Sequence, residues 1–218
     1  LADRVSYGQP VVEALPAAMR DLGLQRAFLM VSRSLRHGTA VVFDVARALD
    51  VRCVGIYDGM PPHSPRAEIV LCAERVRALK ADVVVTIGGG SLTDAAKAVQ
   101  MVVAHGISDE EGMDSLLQAT QEAPALPLRS IAVPTTLSAG EFTNLAGVTD
   151  SRISHKQGFY HPDCAPQVVV LDPAITVHTP EWLWLSTGMR SVDHCVEALC
   201  QLPIPAGRAT PYGDGLAI

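Results

Sequence analysis

Three consecutive glycines, in the stretch DVVVTIGGGSLTDAAKAV, constrain this chain more than any other feature. The β-branched run before them is typical of a strand buried on both faces, and the alanine-rich run after them is typical of a helix. Glycine lets a ligand approach the backbone closely, and the unpaired N–H groups of the helix start favour an anion. A plain tight turn needs only one or two glycines. We therefore expect a phosphate-binding turn at Gly88, Gly89, Gly90 and Ser91.

Strand and helix patterns alternate along the chain. The runs RAFLMVS, VRCVGIYDG and LRSIAVPTT predict further strands, and residues 64–81 and 92–105 have helical periodicity. This alternation implies right-handed crossovers and a parallel sheet with helices on both faces. GVTDSRISHKQGFYHPDCAPQVVVLDP suggests a β-hairpin and an extended run, and TPEWLWLSTGMRSVDHCVEALCQL suggests a pair of helices. The predicted class is α/β, with an N-terminal Rossmann-like parallel sheet flanked by helices over residues 1–178. The start of an all-helical second domain follows over residues 179–218.

The composition argues against two classes of partner, nucleic acids and membranes. With 17 basic and 23 acidic residues the net charge is −6, which argues against nucleic acid. No apolar run approaches the roughly 18 residues of a membrane span. Five cysteines at irregular spacing, without a C-x-x-C pair, indicate reduced thiols and a cytoplasmic location. We expect a small-molecule substrate and neither a nucleic-acid nor a membrane partner. The start without Met and the final GDGLAI suggest a fragment of a longer chain.

Three motifs, in the expected order, resemble the iron-containing alcohol dehydrogenase superfamily, which shares its fold with dehydroquinate synthase. They are GGGSLTDAAKA, VPTTLSAGEFTN and LDPAITVHTPEWLWLSTGMRSVDHCVEAL. The second is especially similar to the corresponding loop of maleylacetate reductases. The resemblance implies an NAD(P)-dependent oxidoreductase that transfers a hydride between the nicotinamide and a small carbonyl, alcohol or maleylacetate-like substrate. Relatives are often dimers, so a homodimer is expected.

The resemblance also implies which residues hold the cofactor, NAD or NADP. The glycine turn would bind the pyrophosphate, Asp94 would lie at the nicotinamide end, and the threonine pair would lie against the adenosine and ribose. Leu137 and Phe142 would line the nicotinamide pocket. Lys156 would reach the nucleotide, although a solvated surface lysine is an equal alternative. The implied residues are Gly88, Gly89, Gly90, Ser91, Asp94, Thr135, Thr136, Leu137, Phe142 and Lys156.

The choice of nucleotide depends on the position after the strand RAFLMV. Members of the superfamily often carry an Asp there that holds the adenosine ribose hydroxyls. This chain has Ser32, followed by Arg33. A carboxylate accepts from the 2′-hydroxyl and repels a 2′-phosphate, whereas a Ser-Arg pair does neither. NADP is therefore permitted and could be preferred, unless Arg33 is simply exposed.

The helix that carries metal ligands in metal-dependent members is altered in this chain. Those members place an Asp and a His four residues apart on one helix face. Here His194 matches the His and Arg190 replaces the Asp, while no histidine follows His194. Asp193 cannot substitute, because adjacent helix residues point about 100° apart. We therefore predict no metal.

Maleylacetate reductases resemble this metal-free pattern. Arg190 would bind a substrate carboxylate, and His194 would act as a hydrogen-bond donor or proton relay. A packed helix histidine is the structural alternative for His194. Two other functions stay open on the sequence alone. One is an iron- or zinc-dependent alcohol dehydrogenase seen as a fragment, and the other is a nucleotide-binding pseudoenzyme or half-enzyme that acts with a partner chain.

Overall fold

The computed structural model of the protein describes residues 2–118 and 125–200. Six strands form one parallel sheet in the order β1-β8-β5-β4-β2-β3. The strands are β1 (Arg4–Tyr7), β2 (Ala27–Val31), β3 (Cys53–Tyr57), β4 (Val83–Gly88), β5 (Arg129–Pro134) and β8 (Val168–Leu171). The predicted α/β class with a parallel sheet is confirmed.

Helices cover both faces of the sheet. They are α1 (Val11–Asp21), α2 (Arg33–Gly38), α3 (Val41–Leu49), α4 (Arg66–Ala78), α5 (Gly90–Ala104), α6 (Pro173–Thr176) and α7 (Glu181–Cys200), with 3-10 turns at Asp50–Arg52, Gly112–Gln118 and Gly140–Phe142. Successive strand residues point to opposite faces. In β2, Phe28 and Met30 pack with α4 and α5, whereas Leu29 and Val31 pack with α1 and α3. The central strands are therefore apolar on both sides, as the continuous hydrophobic runs predicted.

Two elements differ from the sequence expectation. The edge strand β1 was not predicted, because its four residues are mostly exposed and give no apolar run. The segment expected to form a pair of helices is one helix, α7, which continues through Gly188 to Cys200. Its Thr187 and Ser191 contact the loop after β5, while five apolar side chains spaced three and four residues apart are exposed: Trp182, Leu185, Met189, Val192 and Val196. Residues 201–218 of the predicted second domain lie outside the described residues.

The predicted β-hairpin is present as β6 (Leu145–Asp150) and β7 (His155–Tyr160), paired antiparallel. Its apolar residues Ala146, Val148 and Phe159 join the core cluster of α4 and α5. The hairpin thereby fixes the position of Lys156 relative to α5. No helix in the described ranges is both long and apolar enough to cross a membrane.

A buried cation anchors the hairpin. Arg66, fully buried at the start of α4, donates to Gln157 Oε1 and to Asp114 Oδ1, each at 2.6 Å. Its Nη1 lies 3.6 Å from Asp150 Oδ2, and Arg152 Nη2 lies 2.7 Å from the same oxygen. A buried guanidinium is stable only when such partners satisfy it. These contacts tie α4, the turn at 112–118 and both hairpin strands together.

The ion pairs of Asp150 make part of the stability dependent on pH. The hydrogen bond from Arg152 holds the pKa of Asp150 at about 2, below its ordinary value. A carboxyl group whose pKa is lower in the folded state than in the unfolded state stabilises the fold at pH values above its unfolded pKa of about 4. This stabilisation is lost as the pH falls toward 2. Denaturant unfolding of the Asp150→Asn variant should therefore show a loss of stability that is largest near neutral pH and shrinks below about pH 4. Asp3→Asn, at an exposed position, is the control. A loss equal at all pH values would contradict this origin.

Candidate functional site

The glycine turn joins β4 to α5 at the carboxyl edge of the sheet. Gly88 has a φ of +153°, and a Cβ there would lie 2.5 Å from Leu92 Cδ1 and 3.1 Å from Ser32 Cβ. A Cβ on Gly90 would lie 2.6 Å from Ser138 Oγ. Only residues without side chains therefore leave room at the start of α5, where helix N–H groups face outward.

Ser91 is the second residue of α5 and faces the segment before α4. The His63 N–H donates to Ser91 Oγ at 3.1 Å, and Ser64 Oγ donates to the Ser91 carbonyl at 2.7 Å. Its hydroxyl accepts one bond and keeps its own proton to donate. The side chain is therefore oriented beside the turn.

The loop after β5 lies between the glycine turn and α7. The Thr135 N–H donates to the Gly88 carbonyl at 2.9 Å, and a Cβ on Gly89 would lie 3.2 Å from Thr136 Cγ2. On the other side, the Leu137 N–H donates to Thr187 Oγ1 at 3.2 Å. The two threonines thus lie beside the glycine turn, and their expected contact with the adenosine and ribose stays a prediction.

An apolar cavity of about 640 Å³ lies on one side of this loop. Its walls include Tyr7, Thr135, Thr136, Leu137, Glu141, Phe142, Asp172, Pro173 and Trp184. Thr136 Oγ1 and Glu141 Oε2 are buried without a hydrogen-bond partner among the described residues, and burial raises the pKa of Glu141. An unsatisfied buried polar group costs about 1–3 kcal/mol. Both residues line the cavity, but these two oxygen atoms are buried in its wall.

A polar cavity of about 750 Å³ lies on the other side of the loop. Three elements bring their side chains to it: Asp94 from α5, Lys156 from β7 and His194 from α7. Ser138, Asn144, Cys195 and Glu197 also line it, and Ala139 lines both cavities. The two cavities are therefore adjacent, with residues 138–140 between them.

Asp94 is the buried carboxyl of the polar cavity. Burial raises its pKa, while Lys97, the Gly147 N–H and Lys156 oppose that rise. A Cβ on Gly147 would overlap Lys156 Cε and would lie 3.2 Å from Asp94 Oδ2. Glycine at position 147 therefore leaves room for the Lys156 side chain beside Asp94, and no sequence motif predicted this role.

The loop separates residues that were expected to share one pocket. Leu137 and Phe142 were expected at the nicotinamide end with Asp94, but they line the apolar cavity together with the two threonines. The chain reverses at Ala139, whose φ is +54°, so residues on either side of it reach different cavities. That turn has no signature in the sequence, because alanine rarely adopts a positive φ.

The two predicted catalytic residues lie in different places. His194 lines the polar cavity, and its Nδ1 is 3.1 Å from Glu197 Oε2. Arg190 is half exposed, lies 2.5 Å from Asp193 Oδ2 and is not among the residues that line either cavity. The structure therefore brings His194 to the site and leaves Arg190 one helical turn away.

Ser32 and Arg33 are placed beside the glycine turn. Ser32 precedes α2, its N–H donates to the Ile87 carbonyl at 2.9 Å, and its hydroxyl is 2.8 Å from Ser34 Oγ. Arg33 is exposed. Neither residue lines the two cavities described here, so their role in nucleotide choice stays a prediction.

The described residues do not by themselves form a set of ligands for a divalent metal. No group of three or more His, Cys, Asp or Glu side chains able to hold a metal ion occurs in residues 2–118 and 125–200. On α7, His194 is the only histidine, and the position one turn earlier holds the cation Arg190. A catalytic metal site needs about three His or carboxylate ligands. The described part of the helix offers one histidine, and its carboxylates at Asp193 and Glu197 are paired with Arg190 and His194.

Comparison with known proteins agrees with this architecture, an α/β domain with a Rossmann-like parallel sheet. Residues 2–173 match the iron-containing alcohol dehydrogenase family. The chain belongs to that family, whose members named below are dehydrogenases and reductases.

Relatives of known sequence extend well beyond this chain. The dehydrogenase FUM7 of Gibberella moniliformis is 35% identical over 206 residues, which are 89% of this chain and 48% of that protein. Maleylacetate reductase 1 of Cupriavidus pinatubonensis is 28% identical over 91% of this chain and 48% of its own length. The chain therefore spans about half the length of the curated relatives it matches.

Solved structures share the fold. A 1,3-propanediol oxidoreductase has a TM-score of 0.81 at 25% identity, over 98% of this chain and 54% of that one. Sulfoacetaldehyde reductase from Bifidobacterium kashiwanohense, solved with NAD+, has a TM-score of 0.79 at 22% identity, over 89% and 51%.

Proposed function

We propose that the whole protein is an NAD(P)-dependent oxidoreductase that acts without a metal on a small carbonyl or alcohol substrate. The observation that carries this proposal is the position of the glycine turn between two unlike cavities. A Cβ on Gly89 would meet Thr136 of the apolar cavity, and a Cβ on Gly90 would meet Ser138 of the polar cavity. A dinucleotide has this order of parts, with a flat base at one end, a pyrophosphate in the middle and a polar ring at the other end.

Each part of the site has a role in this proposal. The apolar cavity takes the adenosine, whose flat base fits between its apolar walls. The N–H groups at the start of α5 hold the pyrophosphate, which their helix dipole favours. Asp94 and Lys156 orient the nicotinamide half in the polar cavity. The nicotinamide, when bound, supplies or accepts the hydride.

His194 is proposed to exchange the proton of the reaction with the substrate oxygen. Its ring lines the polar cavity, and Glu197 lies 3.1 Å from Nδ1. A Glu197 carboxylate that accepts from Nδ1–H orients the ring and leaves Nε2 to exchange a proton with the substrate oxygen. Such a donor stabilises negative charge on that oxygen without a metal.

Arg190 is proposed to recognise a carboxylate on the substrate. It lies one turn before His194, and its present partner is the exposed Asp193. A guanidinium can exchange one exposed carboxylate for another at little cost, because surface ion pairs contribute only about 0–1 kcal/mol. Bidentate binding of a substrate carboxylate would favour maleylacetate-like substrates. The maleylacetate reductases among the relatives support this substrate class.

The proposed compartment is the cytosol. The five cysteines, Cys53, Cys72, Cys164, Cys195 and Cys200, are all free. Free thiols are stable where the environment is reducing, which supports this location.

Nucleotide binding tests the proposal directly. NADPH or NADH fluorescence should change on titration into the wild-type protein, and Gly89→Val should weaken that binding at least tenfold, because its side chain fills the space beside the first N–H groups of α5. Gly38→Val, at a position with nothing within 4 Å, is the matched control and should bind normally. Unchanged affinity in a folded Gly89→Val protein would remove the turn from the site.

The choice between the two nucleotides depends on Ser32 in this proposal. The wild-type protein should bind NADPH at least as tightly as NADH. Ser32→Asp should shift the preference toward NADH by about 1–2 kcal/mol, since a carboxylate accepts from the 2′-hydroxyl and repels a 2′-phosphate. The ratio of the two dissociation constants measures this shift. A wild-type protein that rejects NADPH would contradict the assignment.

The metal content of the purified protein distinguishes a metal-free oxidoreductase from a metal-dependent alcohol dehydrogenase. We expect freshly purified protein to contain no stoichiometric iron or zinc by elemental analysis, and we expect EDTA to leave its activity unchanged. A guanidinium and a divalent cation about 4 Å apart repel by about 2 kcal/mol even in bulk water. One equivalent of iron or zinc would instead favour a metal-dependent alcohol dehydrogenase whose other ligands come from outside the described residues.

A further inference from the structure

Lys97 is a fully buried lysine that does not line either cavity. Its Nζ donates to the Gly140 carbonyl at 2.6 Å, to the Leu145 carbonyl at 2.8 Å and to Thr143 Oγ1 at 3.0 Å. The fourth neighbour is Asp94, whose Oδ1 lies 3.6 Å away on the same helix. The ammonium group is thus surrounded by oxygen atoms.

All four partners of this ammonium line the polar cavity. Gly140, Thr143 and Leu145 belong to the segment that leads from the loop after β5 into the hairpin, and Asp94 belongs to α5. These four residues form one wall of the polar cavity, and Lys97 lies behind it. Its ammonium group joins α5 to the segment of residues 140–145. We propose that Lys97 is a positioning residue that fixes this wall and keeps the Asp94 carboxylate ionised inside the cavity.

The electrostatics of the pair support this role. Burial lowers the pKa of Lys97, and Asp94 is the main influence that opposes the fall. Burial raises the pKa of Asp94, and Lys97 is the main influence that opposes the rise. Each group thus favours the charged form of the other, as expected when opposite charges lie within about 4–6 Å in a buried site.

Other groups near the pair do not replace Lys97. Lys156 on β7 and the Gly147 N–H on β6 also favour the carboxylate, but both act more weakly than Lys97. Glu141 and Cys164 influence the ammonium side of the pair. From α7, His194 and Glu197 line the same cavity. All of these remain in a variant that lacks only the Lys97 charge.

The first experiment measures the carboxyl group itself. The Asp94 carboxyl carbon is titrated by NMR in wild-type protein and in Lys97→Met, with Asp94→Asn used to assign the signal. The Asp94 pKa should rise in Lys97→Met. Gln100→Met is the matched control, because Gln100 is buried on the same helix but bonds to Ser130 Oγ and the Cys164 carbonyl. An unchanged Asp94 titration in folded Lys97→Met would overturn the inference.

A reciprocal measurement covers the case in which Lys97→Met does not fold. The Lys97 ammonium is titrated by NMR in wild-type protein and in Asp94→Asn, which keeps the side-chain size. Loss of the carboxylate should lower the Lys97 pKa. An unchanged Lys97 titration would also overturn the proposal, because coupling between two charges is mutual.

The effect of Lys97 on ligand binding in the polar cavity rests on the proposed function. It is tested by measuring nucleotide affinity. At neutral pH, Lys97→Met should bind NADPH or NADH more weakly than the wild-type protein, because loss of the ammonium group favours the uncharged form of Asp94. The loss should diminish as the pH rises and Asp94 ionises, whereas Asp94→Asn should show no such recovery. A loss equal at every pH would leave only a structural role and contradict the positioning role. If wild-type protein binds neither nucleotide, the proposed function fails, and the two NMR titrations still decide the role of Lys97.

Discussion

Gly88 has a φ of +153°, and a Cβ there would lie 2.5 Å from Leu92 Cδ1 of α5 and 3.1 Å from the Cβ of Ser32, the residue that follows β2. Glycine at this position therefore favours the close approach of these three segments. The positions of the other parts of the site depend on this contact. Once β4 ends there, the Gly88 carbonyl accepts from the Thr135 N–H and brings the loop after β5 onto the turn. Both cavities are then formed by the two sides of that loop. A single close approach of backbone segments thus determines where a ligand could bind.

The parts of the fold that the sequence predicted are those decided by local pattern. The strands β2, β4 and β5 are apolar on both faces and so read as continuous runs, and the hairpin shows as two strand-like segments around a polar turn. By contrast, β1 has only four residues with little burial, and its pairing with β8 is a contact between the two ends of the domain. The segment expected to form a pair of helices forms one, α7, which contains Gly188; a glycine inside a helix costs only about 1 kcal/mol.

Residues of the candidate site that belong to sequence motifs were predicted. Features that depend on the conformation of the loop after β5 were not. Asp94, Lys156 and His194 come from three elements and meet in one cavity, although the sequence alone gave no distances. Glu141 and Lys97 lie within recognised motifs, yet their burial depends on residues 140–145 packing against α5. Contacts of that kind join segments more than 40 residues apart and leave no local pattern.

The two faces of α7 have unlike surroundings. One face holds Thr187 and Ser191 against Leu137 and carries His194, while the other exposes the apolar stripe from Trp182 to Val196. A helix is stiff along its axis, so pressure on the stripe moves His194 as part of the same rod. Asp94, on the opposite wall of the polar cavity, belongs to a different helix. A molecule that packed on the stripe and shifted α7 would therefore change the distance between His194 and Asp94.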